Sequence, residues 1–92
     1  MVQEIFGLDF LEYRNKLRKS ILDSGIGELV VNPNLNGSEI EAYCFPKLKT
    51  TLFYWGSGVV TILGYNDIDL RHTKSRLEQL SGVKLTEINK NG

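Results

Sequence analysis

Cysteine is almost missing from the chain. Cys44 stands alone among 92 residues, which excludes an intramolecular disulfide and any zinc framework built on cysteines, and makes an intracellular location the expectation. Histidine is equally scarce. His72 is the only one; it falls on a helical stretch beside Arg71 and Lys74, where solvent exposure is expected rather than catalysis or metal binding. An excess of charge of either sign is lacking too, since 11 basic side chains balance 11 acidic ones. No global field then draws the protein to nucleic acid or to an anionic membrane, so such binding needs a local patch. No apolar run approaches the ~20 residues that cross a bilayer. The opening Met-Val-Gln-Glu-Ile-Phe-Gly has neither the basic stretch nor the apolar stretch of a secretory signal. A cytoplasmic protein without a membrane partner is expected. Only two prolines occur, and there is no proline-rich linker, low-complexity tract or short repeat. A chain of this length suits a single domain spanning 1–92 and buries ~60–65 % of its unfolded surface.

Catalytic patterns are missing as well. Gly56-Ser57-Gly58 joins two strand-like runs, so it lacks the helix N-terminus with which a glycine-rich loop holds phosphate. Glu39 and Glu41 share one face of a strand, and charged side chains that protect a sheet edge from aggregation account for them. Cys44 lies among apolar residues with no histidine nearby in sequence, which does not suit a reactive thiol. No enzyme is expected, no catalytic residue, no metal and no cofactor.

What is present centres on Thr50 to Tyr65. Two runs rich in β-branched and aromatic residues flank Gly56-Ser57-Gly58, and glycine there supplies the positive φ of a tight hairpin turn. Alternation sorts the hairpin into two faces. Leu52, Tyr54, Val60 and Ile62 fall on one, and Phe53, Trp55, Val59, Thr61 and Leu63 on the other. Both faces are largely apolar. A sheet with one wet face shows polar residues at every second position, so this hairpin is either covered twice or uses one face for binding.

Around the hairpin the pattern changes period. Val2 to Phe6 reads as a short strand ended by Gly7. Leu8 to Asp23 reads as a helix, with Asp9 as its cap, Phe10, Arg14, Leu17 and Ile21 at helical spacing, and Leu11 and Leu22 alongside. Arg14, Lys16, Arg18 and Lys19 form a basic cluster, read as solvated helix surface. Gly25 closes this helix. Glu28 to Val31 reads as a strand, Asn32 to Gly37 as a turn, and Glu39 to Phe45 as a strand with Ile40, Ala42 and Cys44 on one side and Glu39, Glu41 and Tyr43 on the other. Pro46 ends it, and Lys47 to Lys49 lead into the hairpin. Asn66 or Asp67 caps a second helix whose buried stripe is Leu70, Thr73, Leu77 and Leu80, closed at Ser81-Gly82. Val83 to Ile88 reads as a final edge strand. This order predicts an α+β fold in which two helices pack on one face of a curved antiparallel sheet. Phe53, Trp55, Val59 and Leu63 then have no covering layer within the chain.

The sequence resembles one half of a TATA-box-binding protein. The resemblance rests on Asn32-Pro33, Pro46-Lys47, Thr50-Thr51, the apolar strand before Gly56-Ser57-Gly58, the second strand ending in Gly64, and Leu8-Asp9-Phe10 at the first helix. It runs from about Leu8 to Leu80. It implies a saddle-shaped sheet whose concave face opens the DNA minor groove with aromatic wedges. Trp55 matches a wedge position, and Phe53, Val59, Thr61 and Leu63 match groove-lining positions. The sequence departs from the family in four ways. The second wedge position falls on Leu35 or Asn36; only one repeat is present, so a homodimer is needed to rebuild the saddle; the first strand, which joins the halves, is short; and Cys44 and Val59 replace an arginine and a lysine.

Two functions follow as expectations. The first is binding of double-stranded DNA by a homodimer, with Lys47 and Lys49 near the phosphate backbone and a nucleoid-associated location. The second is a protein-interaction module that uses the same apolar face without nucleic acid. A basic rim separates the two, and Lys47, Lys49 and Lys84 are its only obvious candidates.

Overall fold

The computed structural model describes residues 1–8, 11–31, 40–55 and 58–88. Its elements are β1 (Val2–Gly7), α1 (Leu11–Ser24), β2 (Glu28–Val31), β3 (Glu41–Phe45), β4 (Thr50–Tyr54), β5 (Val59–Gly64), α2 (Asp67–Ser81) and β6 (Thr86–Glu87). The strands form one curved, unclosed sheet in the order β2-β3-β4-β5-β1-β6, antiparallel at every junction. The α+β architecture with both helices on one face is as the periodicities predict.

The hairpin sits mid-sheet because its strands bring the densest set of apolar side chains to both faces. Leu52 lies opposite Ile62 and Tyr54 opposite Val60. Those four side chains point toward the helices and are fully buried. Register carries the same face outward to Phe6 on β1 and to Tyr43 and Phe45 on β3. Leu17 and Ile21 of α1 and Leu70 and Leu77 of α2 close over them as one core, joined by Leu85. The second helix starts where Asn66 accepts a hydrogen bond from the Asp69 N–H at 2.8 Å and ends where Gly82, at φ 72°, donates its N–H to the Glu78 carbonyl. Thr73 is buried in the stripe because its hydroxyl is satisfied twice, by the Asp69 carbonyl and by Thr50 at 2.7 Å. Leu80 is only partly buried, and Ser81 takes the fourth buried place.

Several expectations change. Leu8 is not helical but extends the line of β1, donating its N–H to the Gly58 carbonyl at 3.0 Å; Asp9 and Phe10 lie outside the described residues. Leu22, grouped with the buried side of α1, is 48 % exposed because it is one step past Ile21 on the helix wheel. Strand β3 starts at Glu41, and Glu39 and the turn Asn32 to Gly37 lie outside the described residues.

Glu41 is the largest correction. Rather than guarding an edge, it sits on an interior strand, on the helix-facing side and buried. Arg18 donates to it twice, from Nε at 2.9 Å and from Nη2 at 2.5 Å, and the Tyr43 hydroxyl donates to it as well. Arg14 approaches the same carboxylate at 4.0 Å while its guanidinium lies over the Tyr54 ring, 5.3 Å from the centroid. Two members of the supposed solvated cluster therefore hold α1 to the sheet. Burial and the neighbouring carboxylate push the Tyr43 phenol well above its ordinary range, and the hydrogen bond to Glu41 raises the Arg18 guanidinium.

The last strand is shorter than expected. Only Thr86 and Glu87 pair with β1, opposite Gly7 and Phe6, and Ile88 adds an N–H to the Ile5 carbonyl at 3.1 Å. This small strand still occupies the outer edge of β1.

Candidate functional site: the helix-free sheet face

Register assembles the other face row by row. One row runs Ala42, Phe53, Thr61, Ile5 across β3, β4, β5 and β1; the next runs Glu28, Cys44, Thr51, Leu63, Gln3. At the hairpin end, Trp55 donates its backbone N–H to the Val59 carbonyl at 2.9 Å, and Val59 lies opposite Gly7. Phe53, Val59 and Leu63 are partly buried, and Trp55 is 40 % exposed. The face is apolar at its centre, as alternation implies.

The aromatic pair on this face is built, not loose. Trp55 Nε1 donates to Thr61 Oγ1 at 2.9 Å, and the Trp55 ring lies 6.4 Å from the Phe53 ring at a tilt of 34°. Thr61 is only 5 % exposed. Its expected place as a groove-lining surface residue is therefore replaced by another: it satisfies the indole N–H and so fixes how Trp55 lies. Two-period alternation put Thr61 on the correct face but carries no information about burial.

The expected cations separate. Lys49, in the left-handed region at φ 59°, stands at the β3–β4 turn and lines a hollow of about 280 Å³ with Cys44, Pro46, Thr51, Leu63 and Tyr65. Its lining is mostly apolar, and it opens at the end of the face opposite Trp55. Lys47 instead lines a depression with Ser24 to Glu28 and Arg76 of α2, away from the aromatic pair. Lys84 lines a third depression with Lys74, Glu78 and Val83 beside α2. No lysine or arginine occurs in either row of the open face. Arg14, Lys16, Arg18, Lys19, Arg71, Lys74 and Arg76 all sit on the two helices, in the opposite layer.

No family model, curated protein or solved structure matches the chain. Function must then be read from the face itself. His72 is exposed on α2, and among the described residues no cluster of three or more histidine, cysteine, aspartate or glutamate side chains is placed to hold a metal ion. Among the described residues no helix is long and apolar enough to cross a membrane.

The hollow was the part missed from sequence. Alternation along β3 separates Ala42 and Cys44 from Glu41 and Tyr43, and the pairing of β3, β4 and β5 joins Cys44 to Thr51 and Leu63. The missing step was register, which a turn with an unusual φ at Lys49 does not announce.

Proposed function

We propose that the chain is a non-enzymatic, cytoplasmic protein-interaction module whose docking surface is the helix-free sheet face, with Phe53, Trp55, Val59 and Leu63 as contact residues and Thr61 as the support of Trp55. The observation that carries this reading is the separation of charge from the face. Binding to a nucleic-acid backbone draws most of its non-specific affinity from lysine and arginine beside phosphates, and here the cations crowd the helices on the far side. An apolar centre with a partly exposed, hydrogen-bonded tryptophan is instead the composition of a protein hot spot. Replacing Phe53 with a photoreactive phenylalanine analogue in living cells tests it. Covalent adducts to protein are expected, and adducts to nucleic acid alone, or none, overturn the reading.

A second reading is the minor groove of double-stranded DNA, bound by a homodimer. A curved antiparallel sheet with both helices on one face is the architecture that the resemblance to a TATA-box-binding protein half implies, and this favours it. Against it stand Lys49, the single cation near the face among the described residues, and β6, which occupies the edge of the strand that joins the halves in that family. Titrating Trp55 fluorescence with an A·T-rich duplex at two salt concentrations decides between the readings. A spectral change whose midpoint moves steeply with salt favours DNA; an unresponsive spectrum favours protein.

A further inference from the structure

The open face carries two unlike features at its two ends. At the hairpin end lies the Trp55 indole, hydrogen-bonded to Thr61 and beside the Phe53 ring yet 40 % exposed. At the other end lies the hollow of about 280 Å³ lined by Cys44, Thr51, Leu63, Tyr65 and Lys49. That volume lies at the lower limit of the ~300–1,000 Å³ of small-molecule sites and is large enough for one bulky side chain. Strand β4 connects the two, with Thr51 on the hollow and Trp55 just beyond its last residue, roughly 13 Å apart at the rise of an extended chain.

We infer that the partner of this face is a second copy of the chain. The inference rests on the reading of the face as a protein-docking surface and names its occupant. A two-fold axis lying in the interface, across the strands and over the Phe53–Thr61 row, reverses the ends of β4. Each Trp55 then meets the partner's hollow, and an isologous contact of this kind is made twice. Charge agrees with this arrangement. Glu28 and Lys49 both belong to the hollow end, so the same axis keeps each away from its own copy and sets Lys49 near the partner's indole, where a cation and a ring attract. With 11 charges of each sign, two copies bear no net repulsion. Against a duplex this pairing of plate and hollow has no counterpart; against itself the face is complementary.

Sedimentation equilibrium at ~100 μM, where any dimer of micromolar affinity is saturated, should give twice the monomer mass. Trp55→Ala removes the plate, and Thr51→Arg fills the hollow. Both positions are at least partly exposed, and far-UV circular dichroism checks that each variant folds. Each alone breaks the contact at both of its symmetric places and, at about thirtyfold for each hot-spot contact, should weaken the dimer by roughly a thousandfold. An equimolar mixture should recover part of the dimer, because the Thr51→Arg chain still offers its Trp55 to the intact hollow of the Trp55→Ala chain. A monomeric native protein, a dimer indifferent to Trp55→Ala, or a mixture no tighter than the variants separately overturns the inference. A monomer that still gives protein adducts at Phe53 would overturn the dimer and leave the docking reading standing.

Discussion

Consider Arg18→Met and Glu41→Gln, which disturb one buried contact from its two ends. The Glu41 side chain is 6 % exposed and the Arg18 side chain 36 %, so the two partners are not equally free to find water. Without Glu41's charge, Arg18 swings outward and is hydrated, and the loss is that of charged hydrogen bonds, about 1–2 kcal/mol. Without Arg18, the carboxylate stays inside with only the Tyr43 hydroxyl and the more distant Arg14. Breaking a buried pair by removing one member costs ~3–5 kcal/mol; with Arg18 a third exposed and Arg14 remaining, about 2–3 kcal/mol is expected. Urea unfolding followed by circular dichroism measures both, and the melting temperature should fall by ~10–20 °C for Arg18→Met, taking ~4–8 °C per kcal/mol for a chain of this size. Replacing both residues with Met should recover most of the Arg18→Met loss, because the buried carboxylate is gone and Arg14 keeps its place over the Tyr54 ring. The reasoning is refuted if Glu41→Gln costs as much as Arg18→Met, or if the double variant is no better than Arg18→Met alone.

Three further outcomes are open to the same assays. Desolvation first, and then Glu87 across the β1–β6 pair, raise the Glu4 carboxyl above its ordinary 4.5. The folded state thus holds the proton more tightly than the unfolded one, so this group favours folding at low pH and the benefit is lost as pH rises through the raised value. Glu4→Gln should therefore stabilise by a few tenths of a kcal/mol at pH 7, a gain seen in thermal melts that vanishes below about pH 4. Gly27→Ala places a methyl 2.5 and 2.6 Å from two carbons of the Phe45 ring; overpacking of this kind costs ~1–3 kcal/mol in a denaturant titration, and no loss would show that the ring moves freely. Thr73→Val keeps shape but leaves the buried Thr50 hydroxyl without its 2.7 Å partner, for a loss of about 1–2 kcal/mol by the same titration.

What was legible in the sequence is what local periodicity encodes. A side-chain period of two separates Leu52, Tyr54, Val60 and Ile62 from Phe53, Trp55, Val59 and Leu63 whatever the rest of the chain does, and the helix side followed because one set must join the core. Asn66 bounds α2 through its side-chain oxygen and Gly82 through its positive φ, both local properties. Glu41 was not legible, because its burial depends on Arg18, 23 residues earlier on another element. The two residues of β6 form no pattern at all; pairing to β1 alone makes them a strand. The direction in which Lys47 and Lys49 diverge is likewise set by the loops and helices that surround one tight turn, not by their adjacency in sequence.

The place of β1 has a consequence for how the molecule is made. It is synthesised before the other described elements, yet its two neighbours in the sheet are β5 and β6. Phe6 cannot meet Val60 until most of the chain has left the ribosome, which at ~5–20 residues per second means a wait of several seconds. During that interval β2, β3 and β4 can pair as a meander, but the sheet lacks the strand beyond β5. A nascent chain stalled before Val59 would therefore carry a homeless β1 and half a core, and chaperones that recognise exposed apolar segments would meet it at that strand.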